Sequence, residues 1–267
     1  MLQPSSSCFF PPSGPGPDAL RIGMRFGDKG THTSRTIMLE EVQSLFAVLP
    51  PSAGRPDYAA AIMEENVLGK ATASTRKLTN QRLAEMYGLD PRIPLFRVLR
   101  HLWEVDREAR PQLALLTVLA RDPLLRATAS PVFAMLPGED LSRSIVAAAI
   151  REVVGERLND AILDKVVRNG ASSWTQSGHL VGRTLKRRRR VVASPTAVAF
   201  ALYLARTAGF LADESLNTGW LAALDCAHGN ARELALDAKR MGLIDLRIAG
   251  DVFEVSLDRL DPGTGRG

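Results

Sequence analysis

Apolar residues recur at helical spacing through most of this chain. Starting near Ser34 or Thr36, Ile37, Leu39, Val42, Leu45, Phe46 and Leu49 fall on one helix face, and Pro50-Pro51 stops the run. A Pro/Ser/Gly linker follows, to Arg55. The pattern then predicts helices over residues 56–67, 74–87, 93–104, 110–121, 122–134, 140–152 and 156–168. Proline or glycine punctuates most of the junctions, at Pro91, Pro111, Pro123, Pro137-Gly138, Gly155 and Gly170. Strand-like alternation is missing before residue 240, so the first two-thirds reads as an α-helical lobe.

From Ser172 the pattern changes. A helix is expected from about Ser173 to Arg188, followed by one that Ser194 caps and Pro195 opens. "ESLNTGWLAALD" and "NARELALDAKRMG" add two more, the last closed by Gly242. Two strands follow, "LIDLRI" and "VFEVSL", joined tightly through Ala249-Gly250-Asp251. In the second, Val252, Glu254 and Ser256 alternate with Phe253, Val255 and Leu257, the period of a half-buried strand.

Helices followed by a hairpin give the order of a winged helix-turn-helix. The expected fold is therefore mainly α: a two-lobed helical protein with a C-terminal winged-helix-like lobe ending in a β-hairpin. The division is 24–170 for the helical lobe and 171–260 for the basic helix and C-terminal lobe. Residues 1–23 are rich in Pro, Ser and Gly and are expected to be disordered, or to precede a true start at Met24. Residues 261–267 are expected to form a disordered tail.

Charge narrows the partner class. The net charge is +5, and the run Lys186, Arg187, Arg188, Arg189 and Arg190 alone accounts for it. Between Lys165 and Gly209 there is no Asp or Glu. A local cationic field attracts polyanions, which makes nucleic acid the leading partner and an anionic membrane the second. Arg outnumbers Lys 28 to 6, which suits phosphate contacts but also follows from a GC-rich genome.

On a helical wheel Trp174, Val181 and Leu185 form an apolar stripe opposite Arg183, Lys186, Arg187 and Arg190. Arg188 and Arg189 continue onto that stripe, so the helix should leave the core near residue 187. Cations at a helix end also favour the macrodipole, but five adjacent ones repel and call for a counter-anion. Such contacts would position the protein without reading sequence. A second basic group, Lys70, Arg76, Lys77 and Arg82, lies among the hydroxyl residues Thr72, Ser74 and Thr75, natural helix caps. In the last helix Asn230 and Arg232 are followed by Glu233 and Asp237, an acidic makeup for a groove-reading helix; base-specific readout is not expected.

Other classes recede. The histidines (His32, His101, His179, His228) are scattered and the cysteines, Cys8 and Cys226, show no metal or disulfide pattern. Asp57, Glu64 and Glu65 could hold Mg²⁺ in a nuclease, but on an amphipathic helix they read as surface charges. No cofactor and no enzymatic activity are expected. No stretch reaches the roughly 18 uninterrupted apolar residues of a membrane span, because Arg206 breaks "AVAFALYLARTAGFLA". With no signal peptide evident, a cytoplasmic location is expected.

Several separated motifs then add up. "ENVLGKATASTRKLTNQRL", "MYGLD", "SSWTQSGHLVGRTLKRR", "SPTAVAFALYLARTAGFLADESLNTGWLAALD" and "AKRMGLIDLRIAGDVFEV" together resemble the BrxA family, accessory proteins of BREX bacteriophage-exclusion systems. The resemblance covers roughly residues 33–258 and none of its motifs is a catalytic signature. It implies a two-lobed helical fold and DNA binding without enzymatic activity. It also implies work alongside a site-specific DNA methyltransferase, an ATPase and a phosphatase-like protein. The matching positions are Asn66, Lys70, Thr75 and Arg76, then Trp174, Gly178, His179, Gly182, Arg183 and Lys186. His179 reads better as a packing residue than as a DNA contact.

The expectation is thus a non-enzymatic protein that grips double-stranded DNA through Arg183 and residues 186–190, helped by Lys70, Arg76, Lys77 and Arg82. The rivals are an adaptor that docks defence components and an RNA-binding or transcription-regulatory protein.

Overall fold

A computed structural model of the chain describes residues 6–249 and 252–261. Among them the helices are α1 (Pro17–Arg21), α2 (Leu39–Val48), α3 (Arg55–Met63), α4 (Ala73–Tyr87), α5 (Pro94–Val105), α6 (Arg110–Arg121), α7 (Pro123–Ala127), α8 (Ala129–Ala134), α9 (Arg143–Val154), α10 (Asp160–Gln176), α11 (Pro195–Ala208), α12 (Gly219–Ala222) and α13 (His228–Arg240). The strands are β1 (Leu180–Val181), β2 (Arg187–Arg188), β3 (Asp245–Ala249) and β4 (Val252–Ser256). The fold is mainly helical and ends in a β-hairpin, as the periodicity predicts.

Helices α6 and α11 form the centre. Residues 112–121 of α6 are all buried, as are 196–205 of α11, and the polar Gln112, Thr117 and Arg121 of α6 are buried with the rest. The Ser194 Oγ caps α11 by accepting the Ala197 N–H at 3.2 Å, with Pro195 at the first helical position. Around α11 pack α1, α5, α6, α12 and α13. One hydrophobic core runs from Phe9 to Leu260. The boundary expected at 170/171 falls within α10, and the core holds residues from both sides of it. A smaller apolar cluster, including Leu124, Val146, Ile150 and Val166, ties α9 and α10 to α7.

In the terminal hairpin β3 and β4 are antiparallel, with Leu246 opposite Val255 and Arg247 opposite Glu254. Leu246 and Phe253 are buried, whereas Arg247 and Glu254 face water. Of its connection, Gly250 and Asp251 lie outside the described residues.

Three expectations need correction. Residues 6–23 are not a structureless leader. Phe9 is fully buried against the Trp220 ring, 4.9 Å between centroids, and its carbonyl accepts the Trp220 indole N–H at 2.9 Å. Helix α1 packs on α11, where Gly16 donates its N–H to the Ala208 carbonyl at 2.8 Å. Low apolar content misled here because a few large rings do the anchoring; residues 1–5 lie outside the described residues. At the other end Asp261 is buried and paired with Arg97 at 2.7 Å, so it belongs to the fold; residues 262–267 lie outside the described residues.

The third correction concerns the basic run. No helix spans 173–188. Helix α10 begins at Asp160 and stops at Gln176. It ends in a Schellman arrangement: the His179 N–H bonds the Trp174 carbonyl at 2.9 Å and the Gly178 N–H bonds the Thr175 carbonyl at 3.0 Å. Gly178, at φ +89°, supplies the left-handed residue this stop requires. The chain then turns back as a hairpin.

Candidate nucleic-acid interface

The basic run is the second strand of that hairpin. Leu180 stands opposite Arg188 and Val181 opposite Arg187. The segment before α9 lines the other edge: the Arg188 N–H donates to the Glu139 carbonyl at 2.8 Å, and the Leu141 N–H to the Lys186 carbonyl at 2.7 Å. At the tip Gly182 adopts φ +103°, and a Cβ there would meet the Leu185 carbonyl oxygen at 2.1 Å. The Lys186 Nζ donates to the Gly182 carbonyl at 2.8 Å and closes the tip.

A strand places successive side chains on opposite faces, so the cations part company. Arg187 and Arg189 are exposed; Arg188 is buried. Its guanidinium pairs with Asp225, and its Nε donates to the Val132 carbonyl at 3.2 Å. The other oxygen of Asp225 accepts the Val191 N–H at 2.8 Å. Arg188 is therefore a structural residue and inaccessible to DNA, a correction to the expected phosphate-contacting set. Arg187 pairs with Asp140 at 3.1 Å, and the Arg189 Nε donates to the Gly178 carbonyl at 3.2 Å. Arg183 and Arg190 are exposed and bond no described residue. On this segment Arg183, Lys186, Arg189 and Arg190 thus pair with no carboxylate among the described residues.

The expected apolar stripe dissolves with the helix. Trp174 is buried in α10, its indole N–H on the Thr128 hydroxyl at 2.8 Å, but Leu185 is 68% exposed and Val181 lies at the surface. His179 packs edge-on to the Trp174 ring and holds the Ala223 carbonyl at 3.0 Å through Nε2, with the Ser177 hydroxyl at 2.9 Å from Nδ1. Burial pushes its imidazole down to about 4, nearby Asp225 opposing and Arg188 reinforcing the shift.

The second basic group sits on and before α4, which packs on α3 and α6, whereas the hairpin packs on α10. The groups share no hydrogen bond or ion pair among those described. The Thr72 hydroxyl caps α4 by accepting the Thr75 N–H at 3.1 Å. Asn66, at φ +53°, accepts the Lys70 N–H at 2.8 Å through its side chain. Lys70 then pairs with Glu41 at 3.0 Å and Arg82 with Glu85 at 2.7 Å, so these two charges are compensated within the fold. Arg76 has its Nε buried without a partner, and Lys77 is exposed. In α13 Lys239 donates to the Leu246 carbonyl at 2.7 Å and Arg240 pairs with Asp237, while Asn230 and Glu233 are exposed.

Two groupings escaped the sequence reading. Arg143 and Arg168 converge beside the hairpin tip with Arg183 and Lys186, although 43 positions separate the outermost pair. Nothing in local composition signals this, because tertiary packing of α9 on α10 makes it. The other is a buried chain in which His32 Nδ1 lies 2.8 Å from Asp122 Oδ2, and His32 Nε2 lies 2.8 Å from Ser173 Oγ. Burial pushes the Asp122 carboxyl up, but His32 and the N–H groups of Leu125 and Thr31 more than offset this and hold it low. All three side chains are within 1% of full burial, and the Ser173 oxygen is already bonded to the Asn169 carbonyl and the Ile37 N–H. The arrangement ties residues 31–37 to α10 and offers no free nucleophile. Among the described residues no group of three or more His, Cys, Asp and Glu could hold a metal ion, and no helix is long and apolar enough to cross a membrane.

No protein-family model matches the chain, and a search of curated proteins finds none significantly similar to it.

Proposed function

We propose that this chain is a non-enzymatic, cytoplasmic protein that binds double-stranded DNA by its phosphate backbone. On the strength of the motif resemblance, its setting is a BREX-type phage-exclusion system of the BrxA kind, beside a methyltransferase, an ATPase and a phosphatase-like protein. The observation that carries the DNA reading is the exposed hairpin with four cations, Arg183, Lys186, Arg189 and Arg190, that pair with no carboxylate among the described residues. Phosphate neutralisation by such a group releases counterions and favours duplex over neutral partners. Arg76 and Lys77 add a second contact on α4, and Lys70 and Arg82 contribute less because each already faces a carboxylate.

One observation favours a second reading. Leu185 and Val192, 68% and 89% exposed, flank the cations on the same segment, which suits an adaptor that meets an acidic partner protein. Anisotropy titrations of the purified chain with duplex, single-stranded DNA and structured RNA separate these readings. The duplex reading expects tight, salt-sensitive binding to duplex of unrelated sequences. Preference for structured RNA, or no binding near physiological salt, overturns it.

A further inference from the structure

Beside the hairpin tip lies a cavity of about 480 Å³, within the range of small-molecule sites. Three parts of the chain build it: the entry to α9 at Asp140, Leu141 and Arg143, the α10 stretch Val167–Ser172, and the tip Arg183–Lys186. Its polar side is cationic. Arg143 and Arg168 share a single carboxylate, Asp164, the latter at 2.9 Å. Arg187, just outside, occupies Asp140 at 3.1 Å, so that lining carboxylate is spoken for. Arg183 and Lys186 pair with no carboxylate among the described residues. Among the described residues four cations and one carboxylate, Asp140, line the cavity; with their partners Arg187 and Asp164 the balance is five to two.

The remaining lining completes a ligand site. The Ser172 and Thr184 hydroxyls bond no described residue, and so remain free to meet an anion. Leu141, Val167, Ala171 and Leu185 give the cavity apolar lining as well, and Leu185 is 68% exposed. An inorganic ion would leave the apolar lining wet. A ligand with an anionic head and a flat apolar body would use both kinds of lining. A phosphomonoester carries about −1.5 to −2 charges near pH 7, enough to answer the excess, and its oxygens match the planar forks of the Arg side chains.

We propose that this cavity binds an organic phosphate of nucleoside-monophosphate size, with the phosphate toward Arg183, Arg168 and Lys186 and the base against Leu141 and Leu185. The site does not depend on duplex binding, although Arg183 and Lys186 would serve both.

Isothermal titration of the full chain with adenosine 5′-monophosphate, adenosine and inorganic phosphate tests it. The monophosphate should bind at one site per chain, adenosine should give no heat, and inorganic phosphate should bind more weakly than the nucleotide. Ser172→Glu, which sets a negative charge inside the cavity, and Arg183→Gln, at the exposed tip, should each weaken the nucleotide by about tenfold or more. Arg240→Gln, on α13, should leave it unchanged. If Ser172→Glu melts early, Arg183→Gln alone decides, because the Arg183 side chain bonds no described residue. Absence of nucleotide binding, or binding that both variants retain, overturns the site. Inorganic phosphate bound as well as the nucleotide overturns the apolar half of the proposal. A parallel duplex titration keeps the two questions apart: its failure leaves nucleotide binding standing, and the converse holds.

Discussion

The Arg188 guanidinium and the Asp225 carboxylate form an ion pair inside the protein, their side chains only 3% and 6% exposed. It links the middle of the basic run to the turn after α12, and Asp225 holds the exit of the run as well through the Val191 N–H. Removing one partner strands the other charge away from water, so Arg188→Ala or Asp225→Ala should each cost about 3–5 kcal/mol in urea unfolding. Replacing both by apolar residues of similar size should cost less than either single change. Single variants within about 1 kcal/mol of the parent would show that the pair is not structural.

Acid should destabilise the protein through His179. Its folded value of about 4 lies below the ordinary 6.5, so the unfolded chain takes up the proton first. The contribution of neutral His179 is complete above pH 6.5 and is lost as pH falls from there toward about 4. Urea midpoints of the parent and of His179→Gln, measured over that range, should converge at the acid end. A constant difference between the two would contradict the assignment.

The N-terminal segment should be needed for stability. Phe9→Ala empties a fully buried site against Trp220 and Phe133 and should cost about 3–5 kcal/mol. A chain beginning at Met24 loses Phe9, Phe10 and α1 together, and should melt well below the full chain. Equal melting temperatures would place these residues outside the cooperative fold.

Most helices were legible, α4, α5, α6 and α11 through their caps, prolines or apolar periods, but α1 lay in a stretch read as disordered. What failed was local. "KRRRR" after an apparent apolar stripe reads as a helix on a wheel, yet Ser177-Gly178 was a stop signal and Gly182 a turn signal, both present in the sequence. Glycine can be tolerated within a helix, so only the bonds from Gly178 and His179 decide between the two. The strand's alternation then buries Arg188, which a helical wheel places near the core for a different reason. The partner of Arg82, Glu85, is one helical turn away, but those of Lys70 and Arg188, Glu41 and Asp225, were illegible because they come from far along the chain. Distance along the chain also hid Phe9, whose burial depends on Trp220, 211 positions away.

The most direct test of the account is the salt dependence of duplex affinity for the parent and for the combined variant Arg183→Gln, Arg189→Gln, Arg190→Gln. These three side chains are exposed, so the variant should melt like the parent. For every phosphate the variant no longer neutralises, the plot of log affinity against log salt should flatten by about 0.9. The slope should therefore fall by up to about 3, and affinity should drop on every duplex sequence alike. An unchanged slope and affinity in the folded variant would contradict the claim that the hairpin grips DNA.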